Sequence, residues 1–116
     1  MIARIAVAAL GLLLASASAV AAQPAAPQGQ KEFQYYCTPC HGPGKGNNRP
    51  ALPGTDALNV KYKGEKPGLI EARDDLTAAY VRFVVRRGIE GMPSFRKVEL
   101  SDPNLDAIAA YLGRGK

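Results

Sequence analysis

Apolar positions recur at helical spacing in three stretches of this chain, and nowhere do they settle into the alternation of a strand. From Lys31 to Cys37, Phe33, Tyr36 and Cys37 fall at i, i+3 and i+4 on one face. From Thr77 to Arg87 the pattern brings Leu76, Tyr80, Phe83 and Val84 together, with Thr77 as N-cap and Gly88 as the stop. From Asp102 to Leu112, Leu105, Ile108, Ala109 and Leu112 align behind Ser101 as cap, with Pro103 in the first turn, and the helix meets Gly113. The segment from Gly42 to Glu65 is so rich in Gly, Pro and Asn that it reads as one long loop. The prediction is all-α: a few short helices joined by long loops, with something central to pack against.

Ahead of these helices the chain opens MIARIAVAALGLLLASASAVAAQ. Arg4 precedes an apolar run from Ile5 to Leu14, and small residues follow to Ala22, the pattern of a secretory signal peptide. Cleavage is expected after Val20-Ala21-Ala22, with Ala19-Val20-Ala21 as the second choice. A retained membrane anchor is the competing reading, but the apolar stretch falls short of the roughly 20 residues a span needs. Residues 1–22 are therefore read as a signal peptide, 23–30 (QPAAPQGQ) as a flexible tether, and 31–116 as one domain. The expected location is the periplasm, with no stable membrane anchor after cleavage.

Composition sharpens the need for a central object. Of 116 residues about 94 remain after the leader, close to the smallest size at which a core holds alone. Such domains usually need disulfides, a metal or a large cofactor. Apolar residues make up 47% and charged residues 22%, which excludes a disordered chain. Two Cys and one His exclude a disulfide-rich scaffold and zinc-finger arrays. The net charge of +5 falls to +4 when Arg4 leaves with the leader. That is modest, and with export it argues against a nucleic-acid partner.

The chemistry concentrates at Cys37-Thr38-Pro39-Cys40-His41, a C-x-x-C-H run that reads as a c-type haem attachment site. Two thiols on one helical turn can add to the two vinyl groups at a haem edge, and the adjacent imidazole then lies under the iron. The haem supplies the missing core. A thioredoxin-like dithiol would follow a strand in a βαβ unit rather than a helix. A structural zinc site usually takes four ligands, and a simple disulfide leaves His41 and the loops unexplained. The sixth iron position falls to Met92, the one methionine of the mature chain, in Gly91-Met92-Pro93-Ser94-Phe95. It lies on a loop stiffened by Gly91 and Pro93, away from any apolar periodicity that would make it core filler. Met/His ligation raises the haem potential and closes the iron, favouring electron transfer over catalysis. A backbone carbonyl after His41, held by Pro50 or Pro53, is expected to orient the imidazole through its other nitrogen.

These residues resemble a class I cytochrome c over roughly Gly29 to Leu112. The resemblance implies an N-terminal helix with Gly29 and Phe33 crossing a C-terminal helix with Ile108, Tyr111 and Leu112. Pro50-Ala51-Leu52-Pro53-Gly54 is similar to the family's P-x-L-x-G segment, which makes Pro50 the candidate for the carbonyl beside His41. The run R-x-G-x-x-x-M-P-x-F from Arg86 to Phe95, and the acidic start of the last helix, resemble small cytochrome subunits of flavin-dependent dehydrogenases of the 4-cresol type. The implied function is one-electron transfer by a single haem c, without catalysis by this chain. The electrons would come from a periplasmic flavoprotein dehydrogenase. Two alternatives stand beside it: a freely diffusible shuttle to a terminal oxidase or reductase, and a haem sensor or enzyme with a dissociable Met92. The basic residues fall into Lys61-Lys63-Lys66, Arg82-Arg86-Arg87 and Arg96-Lys97. The last pair, following Met92, is expected to steer an acidic partner to the haem edge.

Overall fold

The computed structural model describes residues 26–43 and 52–114. The expected signal peptide and Pro50 lie outside them. Five helices follow in order: α1 (Ala26–Tyr36), α2 (Thr38–His41), α3 (Pro53–Tyr62), α4 (Ala78–Arg87) and α5 (Asp102–Leu112), with a 3₁₀ turn at Ile70–Ala72 between α3 and α4. Among the described residues there is no strand, only an isolated bridge between Ile89 and Met92. The all-α expectation holds.

The frame is the pair α1 and α5. Phe33 is wholly buried, and its ring centroid lies 5.9 Å from that of Tyr111. A Cβ at Gly29 would stand 2.1 Å from the Ala107 carbonyl oxygen and 2.7 Å from Tyr111 Cβ, so only glycine lets the two helices come this close. This contact also explains why α1 starts five residues before the Lys31 that periodicity gives it. The segment Ala26–Gln30, read as tether, is helical because Gly29 has a partner in α5. Pro27 falls in the first turn, where its missing N–H is harmless.

α5 buries the whole stripe expected of it, Leu105, Ile108, Ala109 and Leu112, together with Ala107 and Tyr111. Ser101 caps it, accepting from the Asn104 N–H at 3.4 Å. α4 is capped as expected, with the Tyr80 N–H donating to the Thr77 hydroxyl at 3.2 Å. Its inner face differs from the sequence reading. Val81 and Val85 are buried, whereas Tyr80 and Phe83 are 46% and 56% exposed. Apolar residues surround α4 on most sides, so periodicity alone cannot choose a face, and packing on α5 chooses the β-branched one.

α3 was not expected, since it lies inside the breaker-rich loop. Pro53 supplies its first turn, where proline belongs. The helix ends at Lys63 and Gly64, both with positive φ (49° and 90°). Here Gly and Pro mark the ends of a helix rather than forbid one.

Candidate functional site

α2 is a single turn that continues from α1, and it carries the C-x-x-C-H run. The Cys37 carbonyl accepts from the His41 N–H at 2.7 Å and from the Cys40 N–H at 3.1 Å. The Thr55 hydroxyl, buried in α3, donates to the Gly42 carbonyl at 2.8 Å and fastens α3 to the end of this turn. One residue earlier, Gly54 lies flat against the imidazole. A Cβ there would stand 2.5 Å from His41 Cε1 and 2.7 Å from Nδ1.

Met92 sits on a tight turn beyond α4. Ile89 and Met92 exchange backbone hydrogen bonds at 3.1 and 2.9 Å around Glu90 and Gly91. The turn is locked to α4 by the Phe95 N–H, which donates to the Val85 carbonyl at 2.8 Å, and by Arg86, whose guanidinium donates to the Phe95 carbonyl at 2.9 Å. The glycine that this loop needs is Gly88. It has φ 74°, and a Cβ on it would stand 2.8 Å from the Met92 carbonyl oxygen. A Cβ on Gly91 would meet nothing within 4 Å, so the close approach expected there belongs to Gly88.

Both pieces face one cavity of about 300 Å³, lined by Cys37, Cys40, His41 and Met92 and otherwise mainly by apolar side chains of α3, α4 and α5. Burial pushes the Cys37 thiol up to about 12, with the neighbouring Cys40 adding to the shift. A redox-active dithiol needs the opposite, a thiol whose pKa is lowered. Burial likewise lowers the His41 pKa, which keeps the imidazole neutral and able to ligate at neutral pH. Its Nδ1 is buried without a hydrogen-bond partner among the described residues. Among those residues, too, no three His, Cys, Asp or Glu side chains are grouped to hold a metal ion.

The family described as cytochrome C oxidase, cbb3-type, subunit III matches residues 24–112, most of the chain. The chain belongs to this family of c-type cytochromes. Its activity is haem-based electron transfer rather than catalysis, and its cofactor is covalent haem c. No curated protein and no solved structure matches it. Among the described residues no helix is long and apolar enough to cross a membrane.

The cavity of this cytochrome suits that cofactor. Two thiols and an imidazole stand on one turn, a thioether comes from a separate loop, and the glycine cradle at residue 54 leaves the imidazole ring its space. Of the two prolines expected to present a carbonyl to His41, Pro53 opens α3 and makes no bond to the ring; Pro50 lies outside the described residues.

Arg96 and Lys97 are both exposed, but neither charge is free. Arg96 pairs with Glu99 at 3.1 Å, and Lys97 with Asp102 at 2.8 Å, a carboxylate that also takes Arg86 at 2.7 Å. Glu99 offsets Arg96, whereas Lys97 and Arg86 share the single carboxylate of Asp102, so this corner keeps one positive charge in excess. Sequence reasoning passed over several cavity residues, Gly54, Arg73 and Tyr62 among them. Gly54 lay within the Pro50–Gly54 segment that drew notice only for its prolines. Arg73 and Tyr62 carried no signal at all, since neither belongs to a motif.

Proposed function

We propose that the chain carries one electron at a time on a single haem c in this cavity, bound through Cys37 and Cys40, with His41 and Met92 as the axial ligands. The observation that carries this reading is that one cavity brings together all four residues, from two elements more than fifty positions apart. The bound haem would supply the electron-accepting iron. The protein's part is to hold that iron's surroundings fixed. α2 presents both thiols to one edge and keeps the imidazole neutral, while the Ile89–Met92 turn, tied to α4, holds the thioether. Ligands that stay in place between oxidation states keep reorganisation small, and the apolar walls exclude water. A haem sensor with a labile Met92 finds no support in a loop tied down at Val85, Arg86 and Phe95.

Export across the inner membrane, with cleavage after Ala22, is part of this proposal, because it places the cysteines where covalent maturation occurs. For partners, the R-x-G-x-x-x-M-P-x-F run supports a flavin-dependent dehydrogenase as donor. The family's description as an oxidase subunit supports a terminal oxidase as acceptor, reached by a diffusible shuttle. The decisive experiment is expression in a host that matures c-type cytochromes. Haem should resist acid–acetone extraction in the wild type and become extractable in a Cys37→Ala, Cys40→Ala double variant. A colourless wild-type protein would overturn the reading. Purification at low salt then separates the partner roles. A stoichiometric flavoprotein that reduces the haem supports the dehydrogenase subunit, and a cytochrome that elutes alone and is oxidised by membranes supports the shuttle.

A further inference from the structure

Arg73 is a cation that the fold withdraws from water beside the cavity. It follows the 3₁₀ turn, lines the cavity, and leaves only 8% of its side chain exposed. Asp75 braces it, accepting from Nε at 2.7 Å and from a terminal nitrogen at 2.6 Å. The Lys66 ammonium joins the same carboxylate at 2.7 Å, and the guanidinium lies 4.8 Å from the centroid of the Tyr62 ring. Asp75 engages two of the five N–H donors of the guanidinium fork. Lys66, Arg73 and Asp75 together keep one positive charge in excess. A largely buried cation with donors to spare, beside an otherwise apolar chamber, calls for an anionic group on whatever fills that chamber. Lys61 also lines the cavity, but it is 44% exposed and tied to Glu90 at 2.8 Å.

The position of the cluster says which part of a ligand it meets. α3 begins against His41 at Gly54 and ends at Tyr62, about 12 Å further along at the α-helical rise. The thiols sit at the first end and the Tyr62–Arg73 cluster at the other. A haem has the same polarity, with vinyl groups on one side and two propionate carboxylates on another. Once the vinyl side is fixed at Cys37 and Cys40, the carboxylates must lie away from α2.

We propose that Arg73, braced by Asp75, Lys66 and Tyr62, is the carboxylate-binding residue of this cavity, holding a haem propionate in its ionised form and thereby raising the reduction potential and keeping it independent of pH. This inference rests on the haem reading above. Arg73 supplies a full positive charge where water is scarce, so it disfavours the oxidised, more positive iron and keeps the propionate deprotonated in both oxidation states. Without it the carboxylate is desolvated and unpaired, its pKa rises, and protonation becomes coupled to iron oxidation. Other charged or titratable groups near the cluster are Asp74, between Arg73 and Asp75 in the chain, Glu71 on the 3₁₀ turn, whose carboxylate accepts from the Tyr111 hydroxyl, Tyr80 on α4, and the Lys61–Glu90 pair at the mouth.

The test is spectroelectrochemical titration from pH 5 to 9 of the haem-loaded wild type and of Arg73→Gln, Arg73→Lys and Asp75→Asn. The wild-type potential should stay level. Arg73→Gln should shift the redox equilibrium about tenfold toward the oxidised form, about 59 mV for a one-electron couple, and introduce a slope with pH. Arg73→Lys, which keeps the charge, should recover most of the level, and Asp75→Asn should move the potential upward. If Arg73→Gln yields no folded protein, the Asp75→Asn shift decides: upward supports the proposal, unchanged or downward overturns it. An unaltered potential and slope in Arg73→Gln overturn it as well, while intact covalent haem leaves the haem reading standing. A wild type that takes up no covalent haem fails at the premise instead.

Discussion

His41 and Met92 come from parts of the chain that differ in how they are held. The imidazole is wedged between the end of α2 and Gly54, so its orientation is set by contact. Gly54→Ala would push a methyl group into the ring and the Cys40 carbonyl, both within 3 Å of the new atom. The expected outcome is a lower yield of haem-loaded protein and a weakened iron–thioether charge-transfer band, read from the optical spectrum after maturation. Met92 hangs on a turn, and its replacement should be milder for folding. Met92→Ala is expected to keep covalent haem, lose that band and gain carbon monoxide binding, whereas the wild type binds none.

The α1–α5 crossing and the α4 loop make the element-scale predictions. Gly29→Ala places a methyl group 2.1 Å from a backbone oxygen that cannot turn aside. The expected destabilisation is about 3 kcal/mol, near the top of what overpacking typically costs, measured by chemical denaturation of the haem-loaded protein. Arg86 ties α4 to the far side of the methionine turn through the Phe95 carbonyl and to α5 through Asp102. Arg86→Ala should leave secondary structure intact while lowering the alkaline pH at which the iron–thioether band disappears. An unchanged midpoint would show that the Phe95–Val85 bond alone holds the loop. The R-x-G-x-x-x-M-P-x-F spacing thus has a mechanical meaning. Its Arg and Phe close the loop on α4, and its Gly turns the chain sharply enough for Met92 to face the cavity.

Among the described residues, much of the charge is arranged as short ion pairs, some local and some between neighbouring elements. Most of these pairs are exposed and contribute little. Asp75 differs, because the Arg73 guanidinium and then the Lys66 ammonium hold its carboxyl well below the usual carboxylate range. Its folded-state pKa is depressed, so the unfolded chain takes up the proton first. The stabilisation is fully present above roughly pH 4, the ordinary aspartate value, and is lost as pH falls through the lower folded value. Asp75→Asn should therefore lower Tm at pH 7, with the gap to wild type starting to narrow as pH falls from 4 to 3. A constant gap across that range would place the effect in packing instead of charge. Reversing the charges of Arg96 and Lys97 is expected to slow association with an acidic redox partner and flatten its dependence on ionic strength, and neutralising Glu99 and Asp102 to speed it, as stopped-flow measurements would show.

Local chemistry alone determined what kind of protein this is. Cys37, Cys40 and His41 fit on one turn because of their spacing, Ser101 and Thr77 cap helices because of their side chains, and the bulky aliphatic residues Leu105, Ile108 and Leu112 of α5 line up on one face. Each of these properties is decided within a few residues. Tertiary structure decided the rest, wherever the sequence allowed more than one answer. α4 has apolar residues on most of its surface, so only contact with α5 selected Val81 and Val85. Pro53 can open a helix or interrupt one, and the anchoring of Thr55 to Gly42 resolved that in favour of α3. Gly29 in isolation weakens a helix, yet against Ala107 it permits the closest packing in the frame. Arg73 acquired its place at the cavity through Asp75 and Tyr62, partners that no local pattern links to the haem-binding motif.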